Sequence, residues 1–360
     1  RAANDEVNGL IGLGGLLILL AWFPVSNVPF AIGTPMNERL MYLSMIGFCV
    51  FVGIGYGRLS ELGGGCPPWV VGLVVCLLFG VRTSIRNADW QNDFTLFAAA
   101  ALSSPNSAKV AFNLGNAYRD EENYKAALGG YSRALAIYPA YAEVHYNVGV
   151  VYQHQQKPQE AVVAYREATT HNPNHVGALL NKGILLARAG NIDGAILQFE
   201  HAISVSPDRS DAHYNLGLAM ERKSNRGASA AYREALRAEP GNEDAAVNLA
   251  MVYRRMGRRV EMMSTYRDVL EVNPRAYRAA YNLASELERS GVIEEAIDVY
   301  RIAWQATGEL GAFSRSRRGM LFAKTGKQDS ARVALGEFKD VWTGDIRHVQ
   351  NADRLLERLR

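Results

Sequence analysis

Apolar residues are distributed unevenly along the 360-residue chain. Uncharged and mostly apolar runs occupy residues 7–23, 40–57 and 66–81, whereas residues 82–360 carry nearly all of the charges. A membrane-spanning helix needs about 20 predominantly apolar residues, and Gly and Pro, frequent in and between these runs, are commoner in such helices than in soluble ones. We therefore predict three transmembrane helices, although each run alone is also typical of a buried core helix.

From residue 108 onward, the apolar and polar positions recur with a period of 34 residues. The motif NLGNAY at residues 113–118 returns five times, and its asparagines are spaced by 34, 34, 34, 33 and 34 residues. A second pattern, Ala127, Tyr131 and Ala134 followed by Pro139, recurs with the same register. A helix–turn–helix unit of this length, with small residues where the helices cross, is a tetratricopeptide repeat. Stacked repeats bury a continuous core and form a superhelix with a groove.

These patterns predict an all-α protein with three transmembrane helices followed by a tetratricopeptide-repeat superhelix. Residues 1–81 hold the transmembrane helices, and residues 82–107 form a linker and an N-terminal capping helix. Residues 108–344 contain six clear repeats and one degenerate repeat, in which Arg317 stands where asparagine is expected. Residues 345–360 read as a charged, amphipathic closing helix.

Composition excludes several classes of function. The net charge of +3 is too small to indicate a nucleic-acid partner, so we expect none. The seven histidines do not lie with carboxylates at the spacing of metal ligands, and no phosphate-binding loop, nucleophile elbow or zinc-protease motif is present. From the residues alone, no active site and no metal site is visible in the chain.

One asparagine recurs in the first helix of every clear repeat, the helix that lines the groove. These residues are Asn113, Asn147, Asn181, Asn215, Asn248 and Asn282. A side-chain amide can donate to a backbone carbonyl and accept from a backbone N–H, so such a series suits an extended peptide of almost any sequence. The alternative is that these asparagines tie neighbouring helices together, and the sequence leaves both interpretations open.

Four arginines follow the later asparagines at a distance of seven residues, namely Arg188, Arg222, Arg255 and Arg289. Seven residues is nearly two helical turns, so each arginine shares a face with its asparagine. The two earlier repeats carry Asp120 and His154 at this place. We predict a peptide-binding groove that is polar at one end and basic at the other. Solvated helix ends are the alternative explanation.

The chain resembles the C-terminal half of the transmembrane and tetratricopeptide-repeat O-mannosyltransferases. The resemblance rests on PVSN (24–27), ERLMYLSMIGF (38–48) and RTSIRNADWQNDFTLF (82–97), followed by an uninterrupted repeat array. It covers essentially the whole chain. One departure from the family pattern is Met45, where many members carry a different residue.

The resemblance implies an enzyme of the endoplasmic-reticulum membrane, with a multispanning domain of the GT-C type and with its repeats in the lumen. Such enzymes transfer mannose from the lipid-linked donor dolichyl phosphate mannose to Ser or Thr of secretory-pathway proteins. The expected partners are therefore membrane lipid and an acceptor polypeptide bound in the repeat groove. The family's acidic catalytic residues lie in an early loop, so we expect none in this chain and expect them upstream of Arg1, which would leave this chain alone inactive. No cofactor is expected in the chain, and a metal requirement stays open.

Glu38 and Arg39 stand at the start of the second apolar run. The planar and permanently charged guanidinium of Arg39 suits a phosphate, so we predict that Arg39 holds the donor phosphate and that Glu38 orients it. The alternative is a charge pair at the membrane interface that ends the span.

Two other functions compete with the enzyme. The first is a membrane-tethered repeat scaffold that binds a protein partner without catalysis. The second is kinship with the soluble O-linked N-acetylglucosamine transferases, which also carry asparagine-lined repeats. The apolar segment, and the lack of a C-terminal sugar-nucleotide domain, argue against the second.

Overall fold

The computed structural model of the protein describes residue 81, residues 89–223 and residues 227–358. These residues form sixteen α-helices, which fall into two compact units, Arg1–Pro173 and Asn174–Arg360. The first unit contains α1 (Asp93–Ser103), α2 (Ala108–Asp120), α3 (Tyr124–Ile137), α4 (Ala142–His154) and α5 (Pro158–His171). The second unit contains α6 (Val176–Arg188), α7 (Ile192–Val205), α8 (Ser210–Arg222), α9 (Ala228–Ala238), α10 (Glu243–Arg255), α11 (Arg259–Val272), α12 (Tyr277–Arg289), α13 (Ile293–Ala303), α14 (Gly308–Lys324), α15 (Gln328–Val341) and α16 (Ile346–Arg358).

The predicted fold class needs one correction, because the three transmembrane helices are not supported. Within the part of the chain that the structure describes, no helix is long and apolar enough to cross a membrane. The longest, α14, has 17 residues and includes several charged side chains, whereas a span needs about 20 mostly apolar residues. Apart from Val81, the apolar runs at 7–23, 40–57 and 66–81 lie outside the described residues. The supported class is an all-α tetratricopeptide-repeat fold.

Several helices begin where the sequence offers a partner for the unpaired N–H groups of the first turn. The side chain of Ser107 accepts from the N–H of Val110 at the start of α2. The side chain of Asn123 accepts from the N–H of Ala126 at the start of α3. The helix α5 instead begins with Pro158, whose missing N–H would have had no helical partner. Local sequence therefore explains where these helices begin.

The turn between the two helices of a repeat requires one residue in the left-handed region. Glycine fills this place in several repeats, for example Gly190 with φ of 86° and Gly257 with φ of 72°. In the first two repeats the same place holds Glu122 and Gln156, with φ of 59° and 58°. Glu122 and Gln156 therefore have a left-handed backbone conformation, which costs free energy in an L-residue that carries a Cβ atom.

The core of each repeat is built as the recurring pattern predicts. Ala127, Tyr131 and Ala134 on α3 are fully buried. The corresponding Ala–aromatic–Ala sets on the next three second helices are also buried: Ala161, Tyr165 and Ala168; Ala195, Phe199 and Ala202; Ala228, Tyr232 and Ala235. The prediction that these positions form the helix–helix contacts is confirmed.

The aromatic ring of this core lies against a small residue of the first helix of its own repeat. A Cβ atom added to Gly149 would lie 2.5 Å from the ring of Tyr165, and one added to Gly183 would lie 2.6 Å from the ring of Phe199. The ring therefore packs onto bare backbone, which lets the two helices approach closely. The predicted small residues at the helix crossings are thus explained by the ring that faces them.

The C-terminal part of the second unit contains α14, α15 and α16. A Cβ atom on Gly319 of α14 would lie 2.7 Å from Leu335 of α15, so this pair repeats the glycine contact with an aliphatic residue. Ala352 of α16 is buried, and Leu355 and Trp342 pack against the same small cluster. The predicted boundaries at 81, 107 and 344 stay predictions.

Candidate peptide-binding residues

The six predicted asparagines all lie on first helices of repeats, and their side chains have different surroundings. Two belong to the first unit, Asn113 on α2 and Asn147 on α4. Four belong to the second unit, on α6, α8, α10 and α12: Asn181, Asn215, Asn248 and Asn282. Asn147 is buried, with 4% of its surface exposed, and the other five are half-buried. The name "asparagine positions" is used below for these six residues.

Asn147 is fully engaged inside the protein. Its Nδ2 donates to the backbone carbonyl of Glu143 over 2.8 Å. Its Oδ1 accepts a hydrogen bond from Nη1 of Arg119, which lies on α2 of the preceding repeat. Because both ends of the amide are used, Asn147 ties two neighbouring repeats together.

Asn215 and Asn113 retain unused hydrogen-bonding capacity. Nδ2 of Asn215 donates to the backbone carbonyl of Asp211 over 2.7 Å, and its Oδ1 has no partner among the described residues. The neighbouring Asp211 carboxylate is held by Arg209, whose hydrogen bond lowers the pKa of that carboxyl. The side chain of Asn113 has no hydrogen-bond partner within the described ranges. Both amides can therefore form further hydrogen bonds with an external polypeptide backbone.

Asn248 and Asn282 lie near tyrosine hydroxyls of their own unit. Nδ2 of Asn248 donates to the hydroxyl of Tyr214 over 3.3 Å. Burial raises the pKa of Tyr266 to about 12, and the nearby side chain of Asn282 opposes this effect. Asn181 also has an interaction partner in the structure. These asparagines are partly committed to internal contacts.

The predicted arginines lie at the C-terminal ends of first helices. Arg222 reaches back to the preceding repeat, where its Nη1 donates to the carbonyl of Ala187 over 2.9 Å. That carbonyl belongs to the last turn of α6, where cations are favoured by the helix dipole. Arg188 makes no hydrogen bond or ion pair with the described residues. The guanidinium of Arg222 therefore joins two repeats of the fold, whereas the guanidinium of Arg188 makes no hydrogen bond or ion pair with the described residues.

The last two predicted arginines pair with glutamates. Arg255 of α10 pairs with Glu221 of α8, and Arg289 pairs with Glu286 on its own helix. Glu286 is nearly buried, with 11% of its side chain exposed, so its charge requires a close cation. The basic end that the sequence predicts is therefore partly neutralised by carboxylates that the seven-residue spacing does not show.

A set of hydrogen bonds that the repeat pattern does not predict joins the second helix of a repeat to its first. Buried tyrosine hydroxyls make these bonds: Tyr131 with Asn116, Tyr165 with Gln153, Tyr232 with Glu221 and Tyr300 with Glu288. Burial raises the pKa of Tyr131 to about 12, and it also raises the pKa of Tyr232 and of Tyr300. The available signal was a polar residue near the end of each first helix, but its position varies between repeats.

Two histidines at equivalent repeat positions, His145 and His213, each hydrogen-bond to a backbone carbonyl six residues earlier in the chain. A ring nitrogen of His145 donates to the carbonyl of Pro139 over 2.9 Å, and His213 does the same to Pro207 over 2.7 Å. In the part of the chain covered by the structure, no group of His, Cys, Asp and Glu could hold a metal ion. Glu38 and Arg39 lie outside the described residues, so their predicted role stays a prediction.

The fold and these residues define a tetratricopeptide-repeat protein. A family model described as TPR repeat matches residues 115–156 and 185–224. Models described as tetratricopeptide repeat match residues 142–175, 245–276 and 264–308.

Among curated proteins, the chain is similar to several named as O-mannosyltransferases. Mouse protein O-mannosyl-transferase TMTC3 is 33% identical over 124 residues, which cover 34% of this chain and 14% of the mouse protein. Human protein O-mannosyl-transferase TMTC1 is 30% identical over 144 residues, or 39% of this chain and 16% of the human protein. The resemblance to this family is therefore confirmed over the repeats. The matched part spans about one-seventh of the length of these relatives.

Solved repeat proteins cover more of the chain at lower identity. A tetratricopeptide repeat protein from Parabacteroides merdae covers 70% of the chain with 16% identity and a TM-score of 0.46. YrrB, described as a TPR protein with an unusual peptide-binding site, covers 49% with 18% identity and a TM-score of 0.43.

Proposed function

We propose that the chain supplies the polypeptide-binding part of a protein O-mannosyltransferase. The observation that carries this proposal is the similarity of its repeats to proteins named as protein O-mannosyl-transferases. In this proposal mannose passes from dolichyl phosphate mannose to Ser or Thr of secretory-pathway polypeptides, in the lumen of the endoplasmic reticulum. The repeats bind the acceptor polypeptide.

The asparagine positions suit an acceptor of variable sequence. A side-chain amide contacts the backbone of a peptide, which is the same in every sequence. The spare capacity of Asn113 and Asn215 supports this role, whereas Asn147 serves the fold. We propose that Asn113 and Asn215 contribute most to acceptor binding and that Asn147 contributes little.

In this proposal the repeats affect the reaction by binding the acceptor polypeptide. In the transfer, the acceptor oxygen forms a bond to the sugar carbon while the bond from that carbon to the phosphate oxygen breaks. A general base takes the hydroxyl proton, and a cation stabilises the phosphate that leaves. Arg39 is the predicted cation, with Glu38 orienting it. A bound acceptor presents its hydroxyl at a raised local concentration, which lowers the entropic part of the barrier.

The test is to map O-mannose on secreted proteins. The full-length protein is expressed in cells that lack related mannosyltransferases, and O-mannose sites are identified by mass spectrometry. The proposal predicts new O-mannose sites in the presence of the protein, and lower occupancy of those sites with Asn215→Ala. The matched control is Asn106→Ala, an exposed asparagine in the turn before α2, which should leave occupancy unchanged.

A repeat scaffold without catalysis is the competing function, and the same experiment separates the two. A well-expressed, folded protein that produces no O-mannose sites contradicts the transferase. If partner polypeptides are then recovered with the wild-type protein but not with Asn215→Ala, the repeats bind polypeptide without transferring mannose.

A further inference from the structure

A cleft near the C-terminal end of the second unit is lined by Arg318 and lies beside Arg315, and the hydrogen bonding of both arginines is incomplete. It has a volume of about 300 Å³ and lies between the end of α13, the second half of α14 and the first turns of α15. Its lining includes Trp304, Arg318, Phe322, Ser330, Val333 and Glu337. The name "Trp304 cleft" is used below for this site.

Two guanidinium groups lie over the indole ring of this cleft. The Cζ atom of Arg315 lies 5.3 Å from the ring centroid of Trp304, and that of Arg318 lies 5.1 Å from it. Arg318 also lies 4.9 Å from the ring centroid of Phe322. Arg315, Arg318 and Phe322 are spaced by three and four residues, so one face of α14 carries all three. The rings therefore fix the position of both cations.

Both arginines and a nearby glutamate have buried atoms without a hydrogen-bond partner among the described residues. The Nε atoms of Arg315 and Arg318 are buried and have no partner among the described residues. The Oε2 atom of Glu337 on α15 is also buried and unpartnered there. Glu337 is close enough to influence both arginines but forms no ion pair with either of them in the described structure. Desolvation lowers the pKa of both guanidinium groups, and the charge of Glu337 opposes this effect at both of them.

Such an arrangement costs free energy unless a ligand completes it. A buried polar group without a partner costs free energy, and a buried charged group costs more. Many arginines of the second unit avoid this cost through carboxylates or carbonyls. Arg317, between the two arginines of the cleft, pairs with Glu288 of α12 at 3.4 Å. The acidic Asp329, which also lines the cleft, is paired with Arg332.

We propose that the Trp304 cleft binds an acidic segment of a partner polypeptide. The carboxylate of an Asp or Glu in that segment accepts from Arg318 and Arg315, and a backbone N–H beside it donates to Glu337. An acidic residue of a peptide carries both groups within a few ångströms, which matches two cations and a carboxylate that have no ion-pair partner among the described residues. An apolar neighbour in the segment packs on Trp304 and on Val333, which is 61% exposed.

The residue types of the cleft favour a polypeptide occupant. Tryptophan and arginine are enriched among the residues that contribute most to protein–protein binding, and arginine fits a carboxylate with two parallel hydrogen bonds. The proposal does not depend on mannose transfer, because the cleft uses none of the asparagine positions. It adds a second polypeptide site to the protein.

The test measures binding of a fluorescent peptide that alternates Glu and Leu to the complete chain by anisotropy. The matched peptide carries Gln in place of every Glu. The proposal predicts that the Gln peptide binds the wild-type protein at least about tenfold more weakly, because the charge-assisted hydrogen bonds are lost. This comparison uses only the wild-type protein, so it does not depend on how a variant folds.

Variants then place the site. Arg315→Gln combined with Arg318→Gln should weaken binding of the Glu peptide about tenfold, and Trp304→Leu should weaken it to a smaller extent. The control combines Arg237→Gln and Arg354→Gln, which removes two exposed charges elsewhere in the same unit and should change the dissociation constant less than about twofold. Circular dichroism and the thermal midpoint verify that each variant is folded.

Three results would overturn the proposal. The first is equal binding of the Glu and Gln peptides to the wild-type protein. The second is equal binding of the Glu peptide to the cleft variant and to the control variant. The third is displacement of the peptide by inorganic phosphate with a dissociation constant as low as that of the peptide, because the occupant would then be a small anion.

Discussion

The asparagine at a fixed position of each repeat has different structural roles in different repeats. Asn147 is buried and satisfies Arg119 and a backbone carbonyl, whereas Asn113 is half-buried and lacks a hydrogen bond to the described residues. The same residue type at the same repeat position therefore supports the fold in one repeat and remains available to a ligand in another. The local hydrogen-bond partners, which the 34-residue spacing does not reveal, decide between these uses.

The first prediction compares these two asparagines. Asn147→Ala should lower the free energy of unfolding by about 1–3 kcal/mol, because Arg119 loses its acceptor in a buried place. Asn113→Ala should change it by less than about 0.5 kcal/mol, because this side chain has no hydrogen bond to the described residues that the substitution could remove. Urea unfolding followed by circular dichroism measures both. Equal stability losses would contradict the assignment of different roles.

The second prediction concerns two glycines of the first unit. Gly149→Ala places a methyl group 2.5 Å from the ring of Tyr165, and we expect a loss of about 1–3 kcal/mol from the required shift of packed atoms. Gly129, within α3, has no atom within 4 Å of the added Cβ. Gly129→Ala should therefore raise stability by about 0.5–1 kcal/mol through the better helix propensity of alanine. If Gly149→Ala also raises the thermal midpoint, the ring contact does not limit the approach of the helices.

At the scale of the helix pair, the sequence pattern predicted most of the structure. The Ala–aromatic–Ala set and the facing small residue follow from a strict period, so the pattern of residues alone was enough to place Ala127 and Tyr131 in the core. The tyrosine hydroxyl bonds were not predictable in this way, because their partners precede the tyrosine by 15, 12, 11 and 12 residues in different repeats. A long side chain reaches several positions, so spacing alone does not identify its partner.

The third prediction tests the turn between helices of the first repeat. Glu122 has φ of 59°, and Glu122→Gly should raise the free energy of unfolding by about 1 kcal/mol because glycine adopts this conformation without steric cost. The neighbouring Glu121 has φ of −84°, so Glu121→Gly should lower stability by up to about 1 kcal/mol. Thermal unfolding of both variants gives the comparison, and a gain from Glu121→Gly would show that something other than φ is responsible.

The fourth prediction concerns alkaline pH and the buried Tyr131. Its pKa is raised from 10.0 to about 12 by burial, so the folded state keeps the phenol proton to a higher pH than the unfolded state. The contribution to stability is complete below pH 10 and is lost as pH rises from 10 toward 12, by up to about 1.4 kcal/mol per pH unit for one such group. The urea midpoint measured across this range should fall less steeply in Tyr131→Phe than in the wild-type protein.

The control for the pH measurement removes the hydroxyl of an exposed tyrosine. Tyr138 is 52% exposed, and Tyr138→Phe should follow the wild-type pH profile. If Tyr131→Phe follows that profile as well, burial of Tyr131 does not contribute to alkaline unfolding.

At the scale of the whole molecule, the sequence predicted the repeat architecture and its relatives but also predicted membrane helices that are not supported. The repeats were predictable because a fixed period recurs over most of residues 108–344. The transmembrane prediction rested on the length and composition of apolar runs, and the described helices, of 11 to 17 residues, are too short and too charged to span a bilayer. The asparagines lie on first helices, as the repeat pattern predicts, but the pattern does not reveal the hydrogen-bond partners of each residue.

The proposed function joins the repeats to one step of a reaction, namely binding of the acceptor. A residue that contacts only the acceptor affects the transfer differently from one that contacts the reacting atoms. Loss of an interaction that is equally strong in the ground state and in the transition state raises KM and leaves kcat unchanged. Substitutions that weaken acceptor binding by the repeats should therefore raise the acceptor KM.

The measurement that tests this account most directly is the steady-state rate of mannose transfer by the full-length protein to a Ser- and Thr-containing peptide. Asn113→Ala and Asn215→Ala, each compared with Asn106→Ala, should raise the acceptor KM about fivefold or more, with kcat and the donor KM unchanged within about twofold. An acceptor KM that stays at the wild-type value in both variants, with transfer intact, would contradict the claim that these repeats bind the acceptor polypeptide.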